Sequence, residues 1–87
     1  MADKIHLSVV SPTSTVIDTM VSSLRIPTDF GSVGILSGHA PMVCSMEAGI
    51  VRVKYGDGLS ASVRVSKGIA NISDNEATLL VSEAEVI

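Results

Sequence analysis

Aromatic residues are almost absent from this sequence: one Phe, one Tyr and no Trp among 87 residues. Basic residues are few and scattered, six Lys and Arg against nine Asp and Glu, for a net charge of −3. Binding to nucleic acid needs clustered cations, usually with aromatic rings on which bases stack. The sequence sets that class aside. Cys44 stands alone, which excludes an intrachain disulfide, offers no metal-type cysteine spacing and suits a reducing compartment. No run of about 18 apolar residues occurs, so nothing reads as a helical membrane span. The opening "MADKIHLSVV" is too polar for a signal peptide and not Arg-rich enough for a transit peptide. The expectation is a cytosolic protein, or one held at a membrane only through its partners.

What the chain does have is aliphatic. Val, Ile, Leu, Ala and Met supply most of the 46% hydrophobic fraction, and its β-branched residues favour strands. The length fits one domain, residues 1–87, which buries about 60–70% of the surface an unfolded chain exposes. Short runs alternate with period two, as half-buried strands require. Ile5, Leu7 and Val9 share a face opposite His6 and Ser8, and Leu24 and Ile26 lie opposite Ser23 and Arg25. Val51, Val53 and Tyr55 lie opposite Arg52 and Lys54; Leu59, Ala61, Val63 and Val65 lie opposite Ser60, Ser62, Arg64 and Ser66. Gly56-Asp57-Gly58 reads as a hairpin turn, and Ser11-Pro12, Pro27-Thr28-Asp29, Lys67-Gly68 and Ser73-Asp74-Asn75 mark further turns. Ala77, Leu79 and Val81 predict a strand to about Ser82, after which "SEAEVI" reads as an extension or as the start of a helix too short to stand alone. Many short strands at intervals of about 8–12 residues indicate an all-β sandwich or barrel.

The stretch "FGSVGILSGHAPMV", Phe30 to Val43, is the candidate for chemistry. A phosphate-binding loop needs Lys-Ser/Thr and a helix after its glycines. Here Gly31, Gly34 and Gly38 lead into His39-Ala40-Pro41, and no Lys lies between Lys4 and Lys54. Ser37, His39 and Asp29 are close in sequence, but a triad needs convergence in space and an oxyanion hole, and "LSGH" lacks the G-x-S-x-G elbow. Cys44 with His39 is a weaker nucleophile pair, since a lone Cys in an apolar strand is ordinarily inert packing. His6 and His39 have no carboxylate pair at ligand spacing. What remains is surface. Met42 and Met46 read as core or as adaptable interface contacts. Ser14, Ser22, Ser60 and Ser62 read as polar, nearly uncharged strand positions, either solvated or covered by a partner.

The same stretch carries a family resemblance. "GSVGILSGHAPMV" resembles the G-x-x-G-I-L-P-G-H-A-P-L motif of the ATP synthase epsilon subunit. "IHLSVVSPTSTVI" resembles that family's first hairpin, "AGIVRVKYGDG" its "PGVVRVxxxGG" segment, and "VSKGIANISDNEATLLV" its closing strands. The resemblance covers nearly the whole chain. It implies a flattened antiparallel sandwich of about ten short strands in two sheets.

It also implies a rotor component that packs on the gamma shaft and the c-ring and helps couple proton flow to ATP synthesis, with no catalytic residue, cofactor or metal of its own. Its place would be peripheral, on the cytoplasmic face of the energy-transducing inner membrane. Mapped by resemblance, the c-ring contact falls on Asp29, Phe30, Gly31, Ser32 and Val33. The junction of gamma and ring falls on Gly38, His39, Ala40, Pro41 and Met42. Two positions depart from the pattern: Ser32 stands where an acid is frequent, so that either Asp29 substitutes or that contact is absent, and Ser37 replaces a Pro. Most bacterial relatives continue into a C-terminal helical hairpin where this sequence reaches Ile87, so inhibition by that route and nucleotide binding are not expected of these residues.

Two other classes compete with this reading: a free-standing β-sandwich that binds a small ligand or peptide, and a minor hydrolase using Ser37 or His39. A docking role predicts a shallow, uncharged outer sheet beside the Asp29–Pro41 edge, and no pocket holding paired titratable groups.

Overall fold

The computed structural model describes residues 4–56 and 58–87, and every regular element among them is a strand. In chain order these are β1 (Ile5–Val10), β2 (Thr15–Val21), β3 (Ser23–Thr28), β4 (Gly31–Leu36), β5 (Met42–Met46), β6 (Gly49–Lys54), β7 (Ser60–Val65), β8 (Gly68–Ser73), β9 (Glu76–Val81) and β10 (Ala84–Val86). The body measures 35 × 25 × 21 Å.

The strands form two layers. One runs β10-β7-β6-β3-β4 and the other β5-β8-β9-β1-β2. A single backbone pair, Thr28 with Met46, joins them into one hydrogen-bonded sheet folded over on itself. Period two decides which side chains meet between the layers. Leu7, Val9, Ile26, Val51, Val63, Ala77 and Leu79 are all fully buried there, and Met46 joins them while Met42 packs half-buried against the cluster. Each such Val, Leu or Ile contributes roughly 1.5–3 kcal/mol of transfer free energy, so a core with no buried aromatic ring still holds the layers together.

Three readings from the sequence are corrected. The sheet is not wholly antiparallel, because β1 pairs with β9 in parallel, His6 opposite Glu76 through Val10 opposite Leu80. The hairpins β1–β2 and β8–β9 lie side by side, and their adjoining strands enter from the same end. Leu59 is 65% exposed. It belongs to the β6–β7 connection, where its carbonyl accepts the Tyr55 N–H at 2.8 Å, and its side chain falls beyond the end of the core. Within "SEAEVI", Ala84–Val86 forms a strand rather than the start of a helix, with Ala84, Glu85 and Val86 opposite Val65, Arg64 and Val63. β6 and β7 pair antiparallel as the glycine-flanked turn predicts, although Asp57 of that turn lies outside the described residues. The predicted turn at Asp74-Asn75 has left-handed φ at both residues, 52° and 61°, the backbone that a two-residue hairpin turn demands.

Candidate docking surface

The stretch singled out in the sequence builds two separate features, at opposite ends of β4. The first is the tip of the β3–β4 hairpin. Thr28 pairs with Gly31, leaving Asp29 and Phe30 as the loop. Thr28 is itself buried, and its hydroxyl laces the turn: it donates to the Gly31 carbonyl at 2.7 Å and accepts the Phe30 N–H at 3.1 Å. Gly31 completes the reversal at φ 108°, a conformation costly for any residue with a Cβ. The result is a rigid tip that holds the chain's only Phe 92% exposed. Such a ring forfeits hydrophobic stabilisation unless something covers it.

Asp29 precedes Phe30 in the same loop. The Asp29 N–H donates to the Ser45 carbonyl at 3.4 Å. The Glu47 carboxyl is raised above its ordinary value by a hydrogen bond with the Asp29 side chain, while the charge of Lys67 acts the other way. Ser32 accepts a hydrogen bond from Arg25 Nη1 at 3.2 Å, and Val33 packs half-buried against the core.

The second feature is the Ser37–Pro41 loop between β4 and β5. β4 is six residues long, so the loop lies about 20 Å from the hairpin tip at the usual strand rise. The Gly38 N–H donates to Asn75 Oδ1 at 2.7 Å, and the His39 N–H donates to the Leu36 carbonyl at 3.1 Å. His39 Nδ1 lies 2.6 Å from the Ala40 carbonyl, and a carbonyl only accepts, so Nδ1 carries the proton. The loop sits beside the β8–β9 turn and the start of β1, not beside the hairpin tip. Gly38 to Met42 and Asp29 to Val33 are thus two patches on one edge.

This separation takes Asp29 out of reach of His39 and Ser37. Asp29 stands a strand's length from His39, and the nearest recorded polar partner of the Ser37 hydroxyl is Asn75 Oδ1, at 3.5 Å. Burial pushes the Cys44 thiol up, and the Asp29 charge adds to it, so the nucleophilic thiolate is disfavoured. Among the described residues no three His, Cys, Asp or Glu side chains gather in a way that would hold a metal ion.

The outer face beside β4 contradicts the expectation of an uncharged sheet. Arg25 on β3 lies directly opposite Arg52 on β6, and Lys54 follows two residues on, opposite Ser23. These three cations share a shallow depression of about 440 Å³ with Leu24, Gly34 and Leu36. Ser60 and Ser62 sit beside them, opposite Lys54 and Arg52, while Ser14 and Ser22 fall in connections between strands. The sequence pattern marked Arg52 and Lys54 as outward but gave no sign that β3 would bring Arg25 against them. A second cleft, about 630 Å³, does hold a titratable pair: Arg64 Nη1 lies 3.1 Å from Glu85 Oε1. Both side chains are exposed, and the hydroxyls around them, from Ser66 and Ser82, bond to each other and to backbone.

The geometry therefore defines a small two-layered all-β domain with a shaped loop at each end of the edge strand β4. The sequence model for the family described as ATP synthase, Delta/Epsilon chain, beta-sandwich domain matches residues 4–87, and the chain belongs to that family. It is 38% identical over 80 residues to the ATP synthase epsilon chain of Prochloron didemni, covering 92% of this chain and 58% of that one. It is 37% identical over 84 residues to the epsilon chain of Magnetococcus marinus, covering 97% and 61%. Among solved structures, a chain of the Euglena gracilis mitochondrial ATP synthase, determined by cryo-electron microscopy as an OSCP/F1/c-ring assembly, superposes with a TM-score of 0.91 at 26% identity. That match covers 97% of this chain and 54% of the other. The chain spans about three-fifths of the length of the curated relatives it matches.

Proposed function

We propose that this chain is the β-sandwich portion of a rotor subunit of the F-type ATP synthase, docking on the gamma subunit and the c-ring and coupling proton transport to ATP synthesis. The observation that carries the proposal is the match of the family across residues 4–87, together with the 0.91 superposition on a chain from a c-ring-bearing assembly. In this role the domain is non-catalytic: it works by presenting rigid loops that lose little entropy on docking. Phe30, held outward by the Thr28-laced turn and flanked by Asp29, Gly31, Ser32 and Val33, contacts the c-ring. Gly38 to Met42 contacts the junction of gamma and ring. The domain is peripheral to the membrane, on the cytoplasmic face of the energy-transducing inner membrane, and is held there through the complex.

The test is reconstitution of the chain with gamma and the c-ring, followed by size exclusion. Co-elution that Phe30→Ser weakens, with the fold intact by circular dichroism, supports the reading. A folded chain that elutes alone, apart from both partners, refutes it and leaves the free-standing binding module in its place.

A further inference from the structure

The Ser37–Pro41 loop is five residues long, and one of them is Pro41, which has no N–H to donate. Two of its recorded hydrogen bonds are local: the His39 N–H to the Leu36 carbonyl, and the His39 ring to the Ala40 carbonyl. Neither fixes the loop to the body of the domain. Among the described residues, the side chain that does so is Asn75. Its Oδ1 accepts the Gly38 N–H at 2.7 Å and lies 3.5 Å from the Ser37 hydroxyl. Its backbone carbonyl accepts the His6 N–H at 2.9 Å. Asn75 therefore bridges three segments of chain: the β8–β9 turn, the start of β1, and the loop.

We infer that Asn75 is a positioning residue for docking, a clasp that holds Ser37 and Gly38 so that His39, Ala40 and Pro41 meet the partner in one conformation. This rests on the docking role proposed above. Asn75 meets two demands at once. Its backbone is left-handed, φ 61°, which Asn tolerates better than most side chains. Its amide oxygen is short enough to reach the neighbouring loop while its carbonyl stays bonded to β1. A Gly here would keep the turn and lose the clasp. An Asp would keep both, because a carboxylate oxygen accepts the same N–H.

That difference is the experiment. N75G and N75D are compared with the parent chain in two readouts: exchange of the Gly38 amide followed by NMR, with the Leu79 amide as core reference, and affinity for the reconstituted gamma–c-ring assembly. In N75G the Gly38 amide should exchange faster while Leu79 stays protected. Affinity should fall about tenfold, the scale of one lost hydrogen bond with its loop set free, and N75D should restore both. A merely structural role would speed Leu79 and Gly38 together and leave N75D without selective rescue. Unchanged affinity in N75G, or an unchanged Gly38 amide, overturns the inference. If the parent chain does not bind the assembly at all, the docking role fails and the inference, which needs a docked partner, falls with it; faster Gly38 exchange in N75G would then show a clasp without a docking purpose.

Discussion

Gly68 lies against Leu80 so closely that a Cβ added to it would stand 2.1 Å from the Leu80 carbonyl oxygen and 2.8 Å from Val81 Cγ1. The nearer obstacle is backbone in the adjoining strand β9, whose Val81 pairs directly with Gly68. Backbone cannot rotate aside as a side chain tip can. Gly68→Ala must therefore push β8 away from β9 at the place where β8 leaves its turn. The expected cost is about 1–3 kcal/mol, in the range of overpacked sites. Urea denaturation checks it: the midpoint should drop while the slope stays constant.

Thr28 gives a second prediction. Its hydroxyl serves two backbone groups of the hairpin tip from a buried position. Thr28→Val keeps the shape and removes both hydroxyl bonds of the exposed tip, a loss of about 0.5–1.5 kcal/mol for each. Thr28→Ser retains the hydroxyl and should retain most of the stability. The same pair should differ in c-ring docking, Val weaker than Ser, when measured as co-elution with the ring.

The contrast between Thr28 and Asn75 on one side and the core on the other explains what could be read from the chain. Leu7, Val9, Val51 and Val63 declare themselves because burial follows period two in any half-covered strand. The Asp74-Asn75 turn is legible for a similar reason, since left-handed φ restricts the residue types allowed. A Thr hydroxyl lacing a turn, or an Asn side chain reaching a loop 37 residues earlier in the chain, depends on three-dimensional neighbours that no local pattern encodes. Leu59 misled for the complementary reason. It continues the alternation of Ala61, Val63 and Val65, but it stands ahead of β7, in an exposed connection. The resemblance singles out Asp29–Val33 and Gly38–Met42, but carries no sign of their separation by the full length of β4.

His6 provides a pH test. The Asp18 carboxylate, bonded to its Nε2, is the main influence raising its pKa above 6.5; desolvation opposes this, and the charges of Asp18 and Glu76 add to the rise. The folded chain thus holds the proton more tightly than the unfolded chain. The stabilisation is complete below pH 6.5 and disappears as pH rises through the higher folded value. The melting temperature should decline as pH rises above 6.5, and Asp18→Asn should flatten that decline. A profile of the same slope in both proteins would contradict the assignment.

Arg25 and Arg52 face each other across β3 and β6, and like charges directly opposite destabilise a sheet pair. Arg25→Glu places an anion beside Arg52 and Lys54. It should raise stability by about 0.5–1 kcal/mol at low salt, less the bond that Arg25 makes to Ser32, and the gain should shrink as salt screens it. Thermal melts at two ionic strengths measure both effects.

The single Thr28–Met46 seam has a mechanical consequence. Backbone hydrogen bonds tie strands within each layer, but almost none cross between the layers. Torque applied to one face therefore reaches the other through interlocked aliphatic side chains, which act as meshed teeth, and through the short chain segments that cross between the layers, such as those joining β2 to β3 and β5 to β6. A body wedged between two turning parts would then owe its stiffness to the fit of Leu7, Ile26, Val51 and Leu79, and trimming any one of them by a methyl group would make the coupling springier before it made the fold unstable.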